Sequence, residues 1–284
     1  MKVLLTGANG QLGKCFLDRL PKDWDIWATD TSELDITDRV AVLNAVENYK
    51  PDAIVNAAAY TAVDKAESDS KKAELVNKIG PENLAIAAAR NNSFFIHVST
   101  DYVFDGTATQ PYKESDMTNP LGVYGSTKLM GEKAVERSYP QAIILRTAWV
   151  FSEYGNNFVK TMLRLGKEKK ELNIVSDQRG CPTYAGDIAQ SIIELLRIKP
   201  SGGIYHYCGD REVSWSEFAK IIFESAIQLD KLEYTPVVNA ITTEQYPTPA
   251  KRPLYSTLSN EKINKLGIKS SDWVTQLNRA ISKI

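Results

Sequence analysis

A tyrosine and a lysine four residues apart, Tyr124 and Lys128, lie in the segment NPLGVYGSTKLMGEKAV. The apolar and small residues of this segment recur at helical spacing, which predicts a helix from about Tyr124, and residues i and i+4 of a helix share one face. A phenol and an ammonium placed in this way could transfer a proton, because a positive charge within ~4–6 Å lowers a tyrosine pKa from its usual ~10. A Y-x-x-x-K sequence also occurs by chance as a surface pair. The other motifs of the chain must therefore distinguish a catalytic pair from a surface pair.

The chemistry that such a pair would serve is the protonation of a carbonyl oxygen during hydride transfer. A zinc-activated water is disfavoured, since the two histidines, His97 and His206, do not lie at ligand spacing from a cysteine or from each other. A hydroxyl of Ser99 or Thr100, at the end of a predicted strand, could hold the substrate oxygen beside Tyr124. His97 lies in the same strand, and we expect it to be a core histidine rather than a catalyst.

A glycine-rich loop near the amino terminus predicts a dinucleotide site. Gly7, Gly10 and Gly13 directly follow the first predicted strand and open a helix, so backbone N–H groups could approach a pyrophosphate. The alternative is a glycine-rich turn without a ligand, which this placement disfavours. Asp30 ends the second strand, where a carboxylate usually accepts from the adenosine ribose, although it could also be a turn residue. Because Asp30 would repel a 2′-phosphate, NADH is favoured, unless a neighbouring loop supplies a cation for NADPH.

Repeated strand–helix–strand units must position these groups. Continuous apolar strands alternating with helical segments predict an α/β fold, a Rossmann-type doubly wound parallel sheet. The last third differs, with the capped amphipathic helix SWSEFAKIIFESAIQ and a short helix near Trp273–Ile281, and we expect a smaller, mainly α substrate lobe. We assign residues 1–150 to a dinucleotide-binding domain, to which segments of about 175–200 and 240–258 return, and residues 151–284 mostly to the substrate lobe. The predicted strands are Lys2–Thr6, Asp25–Thr29, Ala53–Asn56, Phe94–Ser99 and Ala142–Arg146.

The composition excludes several classes of protein. A formal net charge of -1 disfavours a nucleic-acid binder, which needs excess Lys and Arg to neutralise phosphates. No apolar run reaches the roughly eighteen residues of a membrane span, and the amino terminus lacks a secretory pattern. Three distant cysteines, Cys15, Cys181 and Cys208, suit a reducing compartment. We therefore expect a cytoplasmic protein with neither nucleic-acid nor membrane partners.

Over nearly its whole length the chain resembles the extended short-chain dehydrogenase/reductases. The segments AAAYTAVDKAE and STDYVFDG are similar to those of members that reduce nucleotide-linked 4-keto sugars, and they distinguish these members from epimerases and dehydratases better than the glycine loop does. The resemblance implies NADPH or NADH as cofactor and reduction of dTDP-6-deoxy-L-lyxo-4-hexulose at C4 to dTDP-L-rhamnose, for polysaccharide biosynthesis. It also allows a homodimer. Two alternatives stay open: a nucleotide-sugar epimerase or dehydratase of the same family, and a non-catalytic NAD(P)-binding regulatory subunit.

The resemblance also implies roles for individual residues. The catalytic set is Thr100, Tyr124 and Lys128, which selects Thr100 over Ser99. The residues expected at the cofactor are Gly7, Gly10, Gln11, Leu12, Asp30, Asp35, Ile36, Ala59, Tyr60, Thr61 and Val98, together with Tyr124 and Lys128. The residues expected at the substrate are Thr100, Asp101, Tyr102, Trp149 and Arg252.

Four details remain open. Tyr60 stands where some members have histidine, which leaves the local hydrogen bonding undecided. Asn77 could hold a group in the proton path or could be a structural residue before Pro81. Trp149 could stack on substrate or fill the core, and the resemblance favours substrate. Some members hold Mg²⁺ between subunits through acidic residues, but no acids here match them, so a metal stays unassigned.

Overall fold

Six parallel strands form the central sheet of the computed structural model, which describes all residues 1–284. In chain order they are β1 (Lys2–Thr6), β2 (Asp25–Thr29), β3 (Ala53–Asn56), β4 (Phe94–Thr100), β5 (Ile143–Thr147) and, much later, β10 (Gly203–His206). They are arranged β10-β5-β4-β3-β1-β2, and every neighbouring pair is parallel. The doubly wound parallel sheet predicted from the alternating strands and helices is confirmed.

The strand order places a switch point between β1 and β3. From β1 the chain first goes to β2 on one side and then crosses to β3 on the other. In open α/β sheets, ligands bind in the crevice at the carboxyl ends of strands where the order reverses. Thr6, Asn56 and Thr100 lie at these ends in adjacent strands, so the crevice opens beside the glycine loop and the end of β4.

Helices cover both faces of the sheet and bury its apolar side chains. On one face, Phe16 and Ile192 pack with Leu5, and on the other, Val42 and Leu84 pack with Leu4. Alternate residues of one strand therefore enter different cores, as expected for a strand covered on both sides. The first face is covered by α1 (Gln11–Leu17) and α8 (Ala185–Ile198), and the second by α2 (Arg39–Tyr49), α5 (Gly80–Asn91) and α6 (Val123–Ser138).

Short helical turns complete the sheet domain. They are α3 (Val63–Ala66), α4 (Ser70–Glu74), a π-helical turn (Leu75–Ile79) that joins α4 to α5, and a 3-10 turn (Asp101–Val103) after β4.

A separate core belongs to the carboxyl-terminal part of the chain. Phe218, Phe223 and Trp273 fill it together with Leu163 and Leu277. The helix predicted from its capping box begins at Trp215, and the Ser214 hydroxyl and the Glu217 carboxylate cap it reciprocally. The mainly α lobe is confirmed. Its helices are α7 (Phe158–Glu168), α9 (Trp215–Gln228) and α11 (Trp273–Ser282). Two further short elements are a 3-10 turn (Thr243–Gln245) and α10 (Glu261–Asn264), and Ile263 of α10 packs in the core of the sheet.

Three pairs of short strands lie outside the central sheet. They are β6 (Val150–Phe151) with β9 (Thr183–Tyr184), β7 (Glu171–Val175) with β12 (Val237–Ile241), and β8 (Arg179–Gly180) with β11 (Val213–Ser214). Strand β10, at 203–206, extends the main sheet just beyond the 175–200 segment that we expected to return to it. No helix has the length and apolar character that a membrane crossing requires.

Candidate active site

The glycine loop turns against the chain that follows β3. Gly7 has a φ of +73°, and a Cβ there would lie 2.6 Å from the backbone nitrogen of Ala58. A Cβ on Gly13 would collide with the carbonyl oxygen of Gly7. Only glycine tolerates this conformation and this close approach, so these glycines let the loop turn sharply into α1. A glycine-rich loop at a helix start leaves backbone N–H groups available to an anion, which suits a pyrophosphate.

A groove of about 760 Å³ runs along the carboxyl ends of the strands from this loop. Tyr60, which we expected at the cofactor, does not line it: its backbone N–H donates to Asn77 Oδ1 at 2.8 Å, and its phenol donates to Asp69 at 3.2 Å. The expected cofactor residues that do line the groove are Gly7, Gly10, Gln11, Leu12, Asp30, Asp35, Ile36, Ala59, Thr61, Val98, Tyr124 and Lys128.

Asn77 connects two parts of the groove wall. Its amide donates to the Tyr60 carbonyl at 3.1 Å and to the Thr127 hydroxyl at 3.2 Å, and that hydroxyl donates to the Tyr124 carbonyl at 3.0 Å. Asn77 is fully buried in the π-helical turn Leu75–Ile79. The contacts therefore support a structural role, in which Asn77 fixes the turn after β3 against the first turn of α6.

Burial raises the pKa of Tyr124 to about 12. A hydrogen bond with the Thr100 hydroxyl lowers this pKa, and the negative charge of Asp101 raises it. We expected Lys128 to lower this pKa, and the groups of the chain do not produce that effect. The Lys128 ammonium instead donates to the carbonyl oxygen of Val98 at 2.7 Å. Burial lowers the pKa of Lys128 to about 8, and the charge of Glu132 opposes this decrease. The phenol is therefore protonated near neutrality, as a proton donor must be.

The hydroxyl of Thr100 lies beside Tyr124 and is held by its neighbours. It donates to Asp101 Oδ1 at 2.9 Å and accepts from the backbone N–H of Tyr102 at 3.2 Å. The ring of Tyr102 meets that of Tyr124 edge-on, with centroids 5.5 Å apart. Burial raises the pKa of Asp101 to about 6. Ser99, the other hydroxyl considered, lines the groove and has no hydrogen-bond partner in the chain.

Trp149 and Arg252 make contacts within the chain. The Trp149 ring stacks on Trp215, with centroids 3.5 Å apart and planes 4° apart. The Arg252 guanidinium donates to both carboxylate oxygens of Asp64, at 3.1 and 2.8 Å, and to the Thr248 hydroxyl. None of the five residues expected at the substrate lines the groove itself. Thr100 and Tyr102 both contact Tyr124, which does line it.

His97 is part of a buried hydrogen-bond chain across β1, β3 and β4. The Asn56 carbonyl oxygen accepts from the Thr6 hydroxyl at 2.8 Å and from the Ala58 N–H at 3.1 Å, so the Asn56 amide donates to Nδ1 of His97 at 3.0 Å. Burial lowers the pKa of His97 well below its usual value, and the charge of Lys128 adds to this. The ring is therefore neutral and lies in the core, as expected.

A metal ion has no support in this chain. No group of three or more His, Cys, Asp or Glu side chains lies close enough together to hold one. Mg²⁺, which the sequence left open, is therefore not assigned to any residue.

The match to known families can be set beside this geometry. The family model of the RmlD substrate binding domain matches residues 1–284. The chain belongs to this family. It is 49% identical to a dTDP-4-dehydrorhamnose reductase of Aggregatibacter actinomycetemcomitans, over 96% of this chain and 95% of that protein.

Solved structures of the RmlD family agree. A dTDP-4-dehydrorhamnose reductase of Clostridium acetobutylicum superposes with a TM-score of 0.93 at 42% identity, covering 99% of this chain and 98% of the other. The enzyme of Bacillus anthracis, solved in complex with NADP, gives a TM-score of 0.93 at 37% identity, covering 100% and 99%. The resemblance to extended short-chain dehydrogenase/reductases is thereby confirmed and narrowed to one family.

In this RmlD-family chain the structure adds groove residues that the motifs did not reveal. Lys72, on α4, and Thr31, next to Asp30, line the groove, and Gly155 and Asn156 come from the loop after β6. That loop is fastened to Gln11, whose side-chain oxygen accepts from Ser152 and Asn157. The Gly-Asn pair in SEYGNN was a visible turn signal, but a turn signal does not say which groove the turn will reach.

Proposed function

We propose that this chain is an NAD(P)H-dependent oxidoreductase that reduces the C4 keto group of dTDP-4-dehydro-L-rhamnose to dTDP-L-rhamnose, in nucleotide-sugar and cell-surface polysaccharide biosynthesis. The observation that carries the proposal is the position of Tyr124 and Lys128 in the wall of a groove that includes the glycine loop. A dTDP-4-dehydrorhamnose reductase that is 49% identical over nearly the whole chain supports the choice of substrate.

The side chains can supply the proton half of this reaction. A bound nicotinamide supplies the hydride. Tyr124 donates its phenolic proton to the keto oxygen as C4 is reduced, because a phenol with a raised pKa carries its proton near neutrality. Thr100 orients that oxygen beside the phenol by turning its hydroxyl proton from Asp101 to the keto group. Lys128, held by the Val98 carbonyl in the wall of the same groove, would donate a further hydrogen bond to the ribose of a bound nicotinamide nucleotide.

For the cofactor, we propose that the groove accepts NADPH as well as NADH. The Asp30 carboxylate is held by the backbone N–H groups of Asn9 and Thr31, at 3.1 and 2.8 Å, in the place suited to a ribose hydroxyl. NADPH binding needs a cation near Asp30 for the 2′-phosphate, and we propose Lys72 as that cation. It lines the same groove, is exposed, and forms no ion pair within the chain.

The test is to mix the purified chain with the 4-keto sugar nucleotide and to follow the absorbance of NADPH and, separately, of NADH. Net consumption of reduced cofactor with formation of dTDP-L-rhamnose supports the reductase. An epimerase or dehydratase returns the hydride and would show no net consumption, and a regulatory subunit would bind dinucleotide without turnover. A homodimer and a cytoplasmic location stay predictions; size-exclusion chromatography with light scattering tests the first.

A further inference from the structure

Trp149 has a backbone conformation that a bulky residue rarely adopts. Its φ is +46°, in the left-handed region. For a large side chain this conformation is strained, and it persists only where the surroundings hold it in place, which happens most often at functional sites. Trp149 lies two residues after Thr147, a residue of the groove wall, and its ring is only partly buried. The strain is therefore located between the groove and the lobe.

Two neighbours confine the Trp149 ring. Trp215 stacks on it with the planes 4° apart. A Cβ on Gly180 would lie 2.6 Å from Nε1 and Cε2 of the same ring, so glycine is the residue that lets the indole lie there. Gly180 pairs with Val213 in the β8–β11 ribbon, and Trp215 follows that ribbon directly. One short ribbon thus supplies both contacts.

Trp215 is itself held from the lobe. Its indole N–H donates to the side-chain oxygen of Gln178 at 3.2 Å, and the amide of Gln178 donates to the Thr243 hydroxyl at 3.0 Å. The ring of Phe158 lies 4.6 Å away, centroid to centroid. None of these residues lines the groove, so Trp215 has a fixed position that does not depend on a bound dinucleotide.

We propose that Trp215 is a positioning residue for the nucleotide-sugar substrate and that it acts through Trp149, whose ring packs against the apolar face of the deoxy sugar. This inference rests on the proposed function. An indole stacked on one side by a second indole has little freedom to tilt, and a ring that cannot tilt costs less entropy when a sugar packs against it. Without Trp215, the strained Trp149 backbone can relax and the ring leaves the substrate.

The experiment compares Trp215→Ala, Trp215→Phe and the control Trp27→Phe, whose ring packs on Tyr49 instead. We expect Trp215→Ala to raise the KM for the 4-keto sugar nucleotide about tenfold while kcat and the KM for NADPH change less than about twofold. Trp215→Phe should recover most of the loss, because a phenyl ring can still stack, and Trp27→Phe should match the wild type.

An unchanged sugar-nucleotide KM in an active Trp215→Ala variant overturns the inference, and so does an equal rise in both KM values. Should Trp215→Ala not fold, Gly180→Ala displaces the Trp149 ring from its other contact and must give the same selective rise, or the inference fails. A wild-type chain that consumes no reduced cofactor with the sugar nucleotide overturns the proposed function as well, so the two failures are distinguishable.

Discussion

Glu132 accepts two hydrogen bonds from the guanidinium of Arg146, at 2.9 and 2.7 Å, and both side chains are almost completely buried. Glu132 lies one helical turn beyond Lys128 on α6, and Arg146 lies on β5 beside Thr147. The Arg146 guanidinium also lies 5.1 Å from the centroid of the Phe104 ring. This ion pair therefore fastens the helix that carries Tyr124 and Lys128 to the sheet beneath it.

Removal of the Glu132 charge should destabilise the fold. Glu132→Gln leaves Arg146 buried without a counter-charge, and we expect the free energy of unfolding to fall by about 3–5 kcal/mol, measured by urea denaturation. Glu136→Gln, one turn further along α6 and exposed, is the matched control and should change stability by no more than about 0.5 kcal/mol. An equal decrease in the free energy of unfolding of the two variants would show that the buried ion pair stabilises the fold no more than an exposed glutamate does.

The activity should fall as the pH rises through about 8, because burial lowers the pKa of Lys128 to that value and the ammonium is lost above it. The same shift has the opposite effect on stability. The unfolded chain binds this proton up to a pKa of 10.5, so the contribution of Lys128 to folding stability rises between about 8 and 10.5. We therefore expect kcat/KM to fall as the pH rises through about 8, while loss of the Lys128 proton does not lower the thermal unfolding temperature over the same range. Constant kcat/KM across this window would contradict the role of the ammonium.

The sheet could be predicted from the sequence because a strand covered on both faces must be continuously apolar. The predicted first four strands agree with the structure to within a residue, and the fifth is shifted by one, to Ile143–Thr147. Strand β10 was not predicted: Gly203–His206 is four residues long, begins with glycine, and owes its place to pairing with β5. Its partner is distant in the chain, so local patterning carries no trace of the pairing.

Side chains that act through long-range contacts were the least predictable part of the site. The spacing of Tyr124 and Lys128 was readable because both lie on one helix. Nothing in the sequence says that the ammonium meets the Val98 carbonyl and that burial, rather than the lysine, dominates the pKa of the phenol. The hydrogen bonds from Arg252 to Asp64 could not be predicted either, because the two residues are distant in the sequence and meet only in the folded chain.

Lys72 should distinguish the two dinucleotides. If its ammonium meets the 2′-phosphate, Lys72→Ala should weaken NADPH binding by about 1 kcal/mol, roughly fivefold, and leave NADH binding unchanged, as measured by titration calorimetry. Lys71→Ala is the control, since Lys71 is an equally exposed neighbour that does not line the groove. High salt should reduce the difference between the cofactors. A similar loss for both dinucleotides would exclude a phosphate contact.

We expect Asn77 to maintain the shape of the groove and to take no part in proton transfer. Asn77→Ala removes hydrogen bonds to both backbone groups of Tyr60 and to Thr127 and leaves buried polar groups unpaired, which costs about 1–3 kcal/mol each. We expect lower stability and a raised KM for NADPH, with the pH dependence of kcat unchanged. A displaced pH profile with normal cofactor binding would instead place Asn77 in the proton path.

The most direct measurement is turnover by Tyr124→Phe, with NADPH binding measured on the same preparation. The variant keeps the ring that packs against Tyr102 and loses only the hydroxyl. We predict that kcat for the 4-keto sugar nucleotide falls by about 10²- to 10⁴-fold, the usual contribution of a general acid, while the Kd for NADPH changes less than about twofold. A Tyr124→Phe variant that reduces the sugar nucleotide at the wild-type rate would contradict the assignment of Tyr124 as the proton donor.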